Sequence, residues 1–194
     1  PVQVVTQIVA LVWVSRRRGN GSLAADFGFV IEPSDLKWIF AGPLALFGLG
    51  LIAGLLRALL GISEENPQAL LDTVAEFRGS ITAVAIVLGV AVLGPVSEEL
   101  TFRGLLLQTG LDKGLSPTAT TVVSAAAFSV IHLVDSSLAS VAGSITLVVL
   151  FLFGLFLAQL RIRTGSLAAP IFAHSGFNLT TVLTLFFFET GAAG

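Results

Sequence analysis

Two adjacent carboxylates, Glu98 and Glu99, stand in one of the most apolar stretches of this 194-residue chain. Arg103 follows one helical turn later. A charged side chain inside a bilayer costs about 2.5–3.5 kcal/mol on insertion scales. Such a pair persists only where partners surround it or where chemistry requires it. The candidate partners are Arg103, His132, His174 and Asn178. Three regions place a pair at i, i+4: Glu99 with Arg103, Phe128 with His132, and His174 with Asn178. Residues four apart share a helix face, so each pair can look into one interior. Adjacent residues diverge by about 100° around the axis, so Glu98 and Glu99 cannot play the same part.

Two carboxylates, two imidazoles and a carboxamide suit hydrolysis of a peptide bond. One glutamate takes a proton from water and later returns it to the leaving amine. One histidine helps hold or polarise that water. The other histidine and the asparagine donate hydrogen bonds to the developing oxyanion, where losing one donor typically lowers the rate about 100–1000-fold. Arg103 keeps Glu99 ionised in a structural ion pair, which leaves Glu98 as the preferred base; the reverse assignment uses the same residues. Phe128 packs beneath the site. Each residue also has a plainer reading. A membrane histidine can simply bond a neighbouring carbonyl, a Glu–Arg pair can support its own helix, and Asn178 can be glue between helices. Three separate helices supplying such groups in otherwise apolar surroundings favour a shared site.

The elements that must position these residues are membrane helices. The chain is 55% hydrophobic and 11% charged, with mean hydropathy +0.96, against about 25% charge in an ordinary soluble domain. The expected fold is all-α, a polytopic transmembrane bundle with about six spans. A net charge of −2 points to neither nucleic acid nor an anionic partner. There is no cysteine, hence no disulfide, thiolate metal site or cysteine nucleophile.

A helical span needs about 20 apolar residues. On that measure residues 1–14 read as a truncated first span and 36–60 as the second. Residues 80 to about 108 form a long third, bent at Gly94-Pro95, because proline deletes a backbone bond. Spans four, five and six are 116–134, 141–160 and 167–188. Residues 67–77 are amphipathic, with Leu70, Leu71, Val74 and Phe77 at helical spacing. They read as an interfacial helix, with a lid over a substrate path as the sharper alternative. Gly50-x-x-x-Gly54 reads as a small-residue packing face within the bundle. The chain therefore divides into N-terminal spans and interfacial helix (1–79) and a catalytic core (80–188) within one structural domain.

Charge decides the orientation. With one bent third span, Arg16, Arg17, Arg18, Lys37, Lys113, Arg161 and Arg163 all fall on one face, which the positive-inside rule makes cytosolic. The other face carries Glu64, Glu65, Asp72, Glu76, Arg78, Asp135 and Glu189. Counted at about 1.5 Å per residue from the cytosolic ends, Glu98 and Glu99 lie roughly 15 Å deep, and His174 and Asn178 about 10–17 Å. His132 comes out near 24 Å on the same rise, deeper than its intended partners.

At this point the sequence resembles a known family. Glu98-Glu99-x-x-x-Arg103, Phe128-x-x-x-His132 and His174-x-x-x-Asn178 are similar, in order and internal spacing, to the three signature motifs of the CPBP family. That family holds the CAAX prenyl endopeptidases of the Ras-converting type and the bacterial Abi proteins linked to bacteriocin processing or self-immunity. The resemblance covers about residues 80–185. It implies an all-helical intramembrane protease opening toward the cytosol. It implies that Glu98 activates water with His132 nearby, that His174 and Asn178 stabilise the oxyanion, and that Glu99 and Arg103 support them. It also implies a membrane-associated peptide or lipidated protein tail as substrate. The short chain looks more like the bacterial branch, in a plasma membrane. No cofactor is needed for glutamate-activated water. From the residues alone, Zn²⁺ on Glu98, His132 and His174 is the alternative, although the His-Glu-x-x-His zinc pattern is absent. Two other classes stay open. One is a non-catalytic immunity or scaffold protein using the same cavity. The other is a proton-coupled transporter, for which paired broken helices would be expected and only one break is seen.

Overall fold

The computed structural model describes residues 2–62, 80–132 and 141–187. Among them every regular element is helical. The expected interfacial helix at 67–77 and all seven charged residues assigned to the opposite face lie outside the described residues.

Helix α1 (Val2–Arg18) is followed by the short α2 (Leu23–Phe27), whose start is capped by the Ser22 hydroxyl accepting from the Ala25 amide. A 3₁₀ helix, Pro33–Phe40, then runs without a break into α3 (Ala41–Leu60). The second span thus begins earlier than apolarity alone predicts. Pro33 sits in the first turn, where its missing N–H is harmless, and the Asp35 carboxylate accepts from the Glu32 amide at 3.0 Å.

The third expected span is one continuous helical run in five pieces. They are α4 (Ile81–Leu88), a π-helical turn (Gly89–Leu93), α5 (Gly94–Glu99), a second π-helical stretch (Leu100–Leu107) and α6 (Gln108–Asp112). Pro95 does not split it. Helix α7 (Pro117–Ile131) starts on the Ser116 cap. Helix α8 (Val141–Thr164) turns within three residues into α9 (Ala168–Phe187).

Among the described residues three runs are long and apolar enough to cross a bilayer, namely Pro33–Leu60, Thr82–Asp112 and Val141–Thr164; Pro117–Ile131 is apolar but shorter. The outer face of α3 and its 3₁₀ lead exposes Phe40, Leu44, Phe47, Leu51, Leu55 and Leu59. These recur every three or four residues and form an apolar stripe along one side. Water would not tolerate such a stripe, and hydrocarbon does. The molecule is an all-α bundle of an integral membrane protein.

Close helix contacts hold the bundle. A Cβ on Gly42 would lie 2.2 Å from the Ala173 carbonyl oxygen, and one on Gly176 2.0 Å from the Ile39 carbonyl oxygen. Only hydrogen fits where α3 crosses α9. A Cβ on Gly154 would lie 3.0 Å from Cα of Ala125, which sets the approach of α7 to α8. Gly50 and Gly54 behave differently. Among the described residues no atom of another element lies within 4 Å of a Cβ built at either, so none of them packs on the expected Gly-x-x-x-Gly face. Gly42, Gly154 and Gly176 are among the glycines that pack between elements.

The ends of several elements meet on one side. Ser15 of α1 bonds the Asp26 carboxylate of α2. The Arg161 guanidinium near the end of α8 donates to the Gly165 carbonyl, to the Phe27 carbonyl at 3.3 Å and to Gln108 Oε1 at 3.4 Å. Ser166 faces Asp35 at 3.5 Å. The connections that carry the basic residues therefore share one face, as a single third span requires.

Candidate active site

Glu98 and Glu99 end α5, between the two π-helical stretches. The N–H of Gly94 bonds the carbonyl of Gly89, five residues back. Proline at 95 has no N–H to give, so the wider π bonding lets the helix pass the proline and continue. π-turns inside α-helices recur at functional sites.

Glu99 and Arg103 are both sealed from solvent, with Nη1 of Arg103 2.8 Å from Oε1 of Glu99. The other guanidinium nitrogen, Nη2, donates to the Gly154 carbonyl at 3.0 Å. The guanidinium carbon lies 4.7 Å from the Phe128 ring centre and 5.9 Å from that of Phe102, a favourable cation–π arrangement. Phe102 is fixed in turn by α7, whose Ser124 hydroxyl donates to the Phe102 carbonyl at 2.9 Å.

Glu99 also meets His174 of α9. Nδ1 of His174 is 2.9 Å from Oε1 of Glu99. An ionised carboxylate only accepts, so Nδ1 carries the proton. Nε2 of His174 then lies 3.8 Å from Oε2 of Glu98. His132, at the end of α7, repeats the pattern. Its Nδ1 is 2.7 Å from the Phe128 carbonyl oxygen, an obligate acceptor, and its Nε2 is 4.0 Å from the same Oε2 of Glu98. Two imidazoles, each tied back through Nδ1, thus aim Nε2 at one carboxylate oxygen. The Glu98 side chain is 27% exposed and that of His132 33%, against 0% for Glu99. Adjacency in sequence has become reachable against sealed.

Phe128 forms the floor beneath both imidazoles. Its ring centre is 4.8 Å from His132 and 5.7 Å from His174. Phe153 adds a second edge contact to His174 at 5.3 Å. Asn178, one turn beyond His174, does not touch the carboxylates; its Nδ2 donates to the Val90 carbonyl at 2.9 Å. Among the described residues, no three His, Cys, Asp or Glu side chains form a metal-binding group.

Residues 80–180 match the model of the type II CAAX prenyl endopeptidase family, Rce1-like. The chain belongs to this family. No curated protein and no solved structure matches the chain. The Rce1-like segment contains every residue of the three motifs, while α1, α2 and α3 lie outside it. Membership makes the chain a CAAX-type membrane protease in general class. The residue roles rest on the geometry above.

Depth is where sequence counting went wrong. The third helical run ends at Asp112, not at Gln108, so Glu98 lies about four turns from that end. His132 follows Pro117 by about four turns as well, so the two reach the same level. His174 comes only about two turns into α9, whose start is enclosed by the rest of the bundle. Leu167, Ala168 and Ala169 are fully buried, and the Leu167 amide bonds the Gly28 carbonyl at 3.2 Å. Sequence reasoning missed Phe102, Ser124, Phe153 and Gly154. The first three are apolar or hydroxyl residues in apolar stretches and carry no signal of their own. Gly154 is a small residue within a long span, a weak pointer to close helix approach.

Proposed function

We propose that the chain hydrolyses a peptide bond in a membrane-associated, lipidated protein tail, with Glu98 as the base that activates water. The observation that carries this reading is the pair of imidazole Nε2 atoms 3.8 and 4.0 Å from Oε2 of Glu98, an oxygen enclosed within the site. These gaps are too long for direct hydrogen bonds and suit a water about 2.8 Å from each group. Oε2 of Glu98 has no hydrogen-bond partner among the described residues, so it is free to accept from that water.

In this scheme Glu98 accepts a proton from the water as its oxygen attacks the substrate carbonyl. His132, neutral with its proton on Nδ1, accepts the water's second hydrogen at Nε2 and orients it. His174 in its imidazolium form donates Nε2–H to the oxyanion. The sealed Glu99 carboxylate holds Nδ1 and balances the charge. Asn178 keeps one further N–H on Nδ2 beyond the one given to Val90, and it is the second oxyanion donor. Collapse of the tetrahedral intermediate breaks the C–N bond, and Glu98 returns its proton to the leaving amine. Arg103 balances Glu99, and Phe128 keeps the floor dry. The catalytic core is residues 80–188, braced by the N-terminal spans of 1–79. The basic connections on one face support a cytosolic opening in a bacterial-type plasma membrane.

The test is cleavage of a prenylated tail peptide by purified protein in liposomes. Glu98→Ala and Glu98→Gln should abolish turnover with helix content unchanged, and full turnover in either would reject Glu98 as the base. Exhaustive chelation should leave activity intact; loss restored by Zn²⁺ would overturn the metal-free scheme.

A further inference from the structure

The carbonyl of Val90 has lost both of its helical donors. In an α-helical turn it would accept from the N–H of residue 94, but that N–H goes to Gly89. In a π-helical turn it would accept from residue 95, which is proline and has no N–H. An unsatisfied carbonyl is costly in a membrane-spanning segment, where water cannot replace the donor. The donor comes from another helix, as Asn178 Nδ2 of α9 sits 2.9 Å from this oxygen. One turn earlier on α9, His174 meets Glu99. Helix α9 therefore holds the carboxylate-bearing helix at two heights. From the upper hold the structure runs directly to the base, since Ser97 Oγ donates to the Gly94 carbonyl at 2.9 Å and Glu98 is the next residue.

We propose that Asn178 is a positioning residue that locks the Gly89–Leu93 π-turn by supplying the hydrogen bond Pro95 cannot. The lock matters because of helical phase. Without a donor on Val90, the Gly94 N–H is contested between Gly89 and Val90, and the turn opens repeatedly as it passes between π- and α-helical bonding. A one-residue change of register rotates the downstream helix by about 100°, enough to carry Glu98 away from His132 and His174. This deepens the hydrolase reading and rests on it for its activity arm only. The brace uses one Nδ2 hydrogen and leaves the other for the oxyanion.

The test is a double-mutant cycle with Pro95→Ala, which restores a backbone N–H for Val90. Asn178→Ala should lower kcat by at least about tenfold and move the acid limb of the pH–rate profile, which belongs to the cluster around Glu98. In the Pro95→Ala background the same substitution should regain about tenfold, and the limb should return. A loss equal in both backgrounds, with an unmoved limb, would make Asn178 an oxyanion donor alone and overturn the brace. Amide hydrogen exchange at Gly94 and Val96 reads the brace without any substrate. Exchange should speed up in Asn178→Ala and recover in the double variant, and unchanged exchange in Asn178→Ala would also overturn it. Absent peptide cleavage with these exchange changes intact would reject the hydrolase reading and keep the brace. If Pro95→Ala does not fold, Asn178→Leu keeps the side-chain volume and removes the donor, and the same exchange measurement decides.

Discussion

Glu99 has two charged or polar partners and no exposed surface, whereas Glu98 has two imidazoles at water-bridging distance and an open side. A sealed ion pair is strong evidence for a fixed geometry and weak evidence for net stability, because desolvation offsets much of the attraction. Breaking it is different. Arg103→Ala strips the buried Glu99 carboxylate of its guanidinium and leaves it His174 alone, and should cost about 3–5 kcal/mol, read as a large fall in the thermal midpoint in detergent. Arg103→Lys should recover only part of this. A compact ammonium cannot reach Glu99 and the Gly154 carbonyl together as the planar guanidinium does. An unchanged midpoint in Arg103→Ala would remove the structural role assigned to the pair. At this scale the sequence was informative about residue types. The i, i+4 spacing placed Glu99 with Arg103, and composition marked both histidines as exceptional. What it could not convey was the orientation of each ring, because Nδ1 of His132 is held by a backbone carbonyl and Nδ1 of His174 by a carboxylate on another helix.

At the scale of elements, small residues decide which helices can meet. Gly154 lets α8 approach α7 closely and presents its carbonyl to Arg103. Gly154→Val should therefore push Ala125 away, at a cost of about 1–3 kcal/mol for overpacking, and lower the thermal midpoint in detergent. Gly54→Val is the control. No atom lies within 4 Å of a Cβ there, so its midpoint should stay close to that of the parent chain. An equal fall in both would mean that helix propensity, not packing, is being measured. Both glycines lie in spans of similar character, and only Gly50 and Gly54 carry the recognisable spacing. The pattern drew attention to the outward pair, since a spacing rule records which residues share a face and not which way that face turns. The π-turns were hidden for a related reason. Gly94-Pro95 announces a disturbance, but whether the helix breaks, bends or widens depends on a donor from α9.

The whole molecule presents an apolar belt on α3 and gathers the ends of α1, α6 and α8 on one side. Orientation in the membrane follows from those ends. The chain has no cysteine, so single introduced cysteines report accessibility without background. Arg17→Cys, Lys113→Cys and Arg163→Cys should all react with a membrane-impermeant thiol reagent from the same side, and in intact cells all three should be protected. Labelling of Lys113→Cys from the side opposite to Arg163→Cys would require the third helical run to end on the other face, and would sink the single-span topology.

The amino-acid sequence by itself determined the solvent of this protein, its helical class, the approximate position of its three long apolar helices and the identity of its chemically capable side chains. All four follow from local composition and from the period of the α-helix, which any stretch of about 20 residues expresses alone. Only the tertiary structure decided that Glu98 is the reachable carboxylate and Glu99 the sealed one, and that His132 and His174 stand at one level. Those outcomes depend on the true end of the third helical run, the enclosed start of α9 and the π-turn before Pro95. Each of these is set by contacts between residues far apart in the chain.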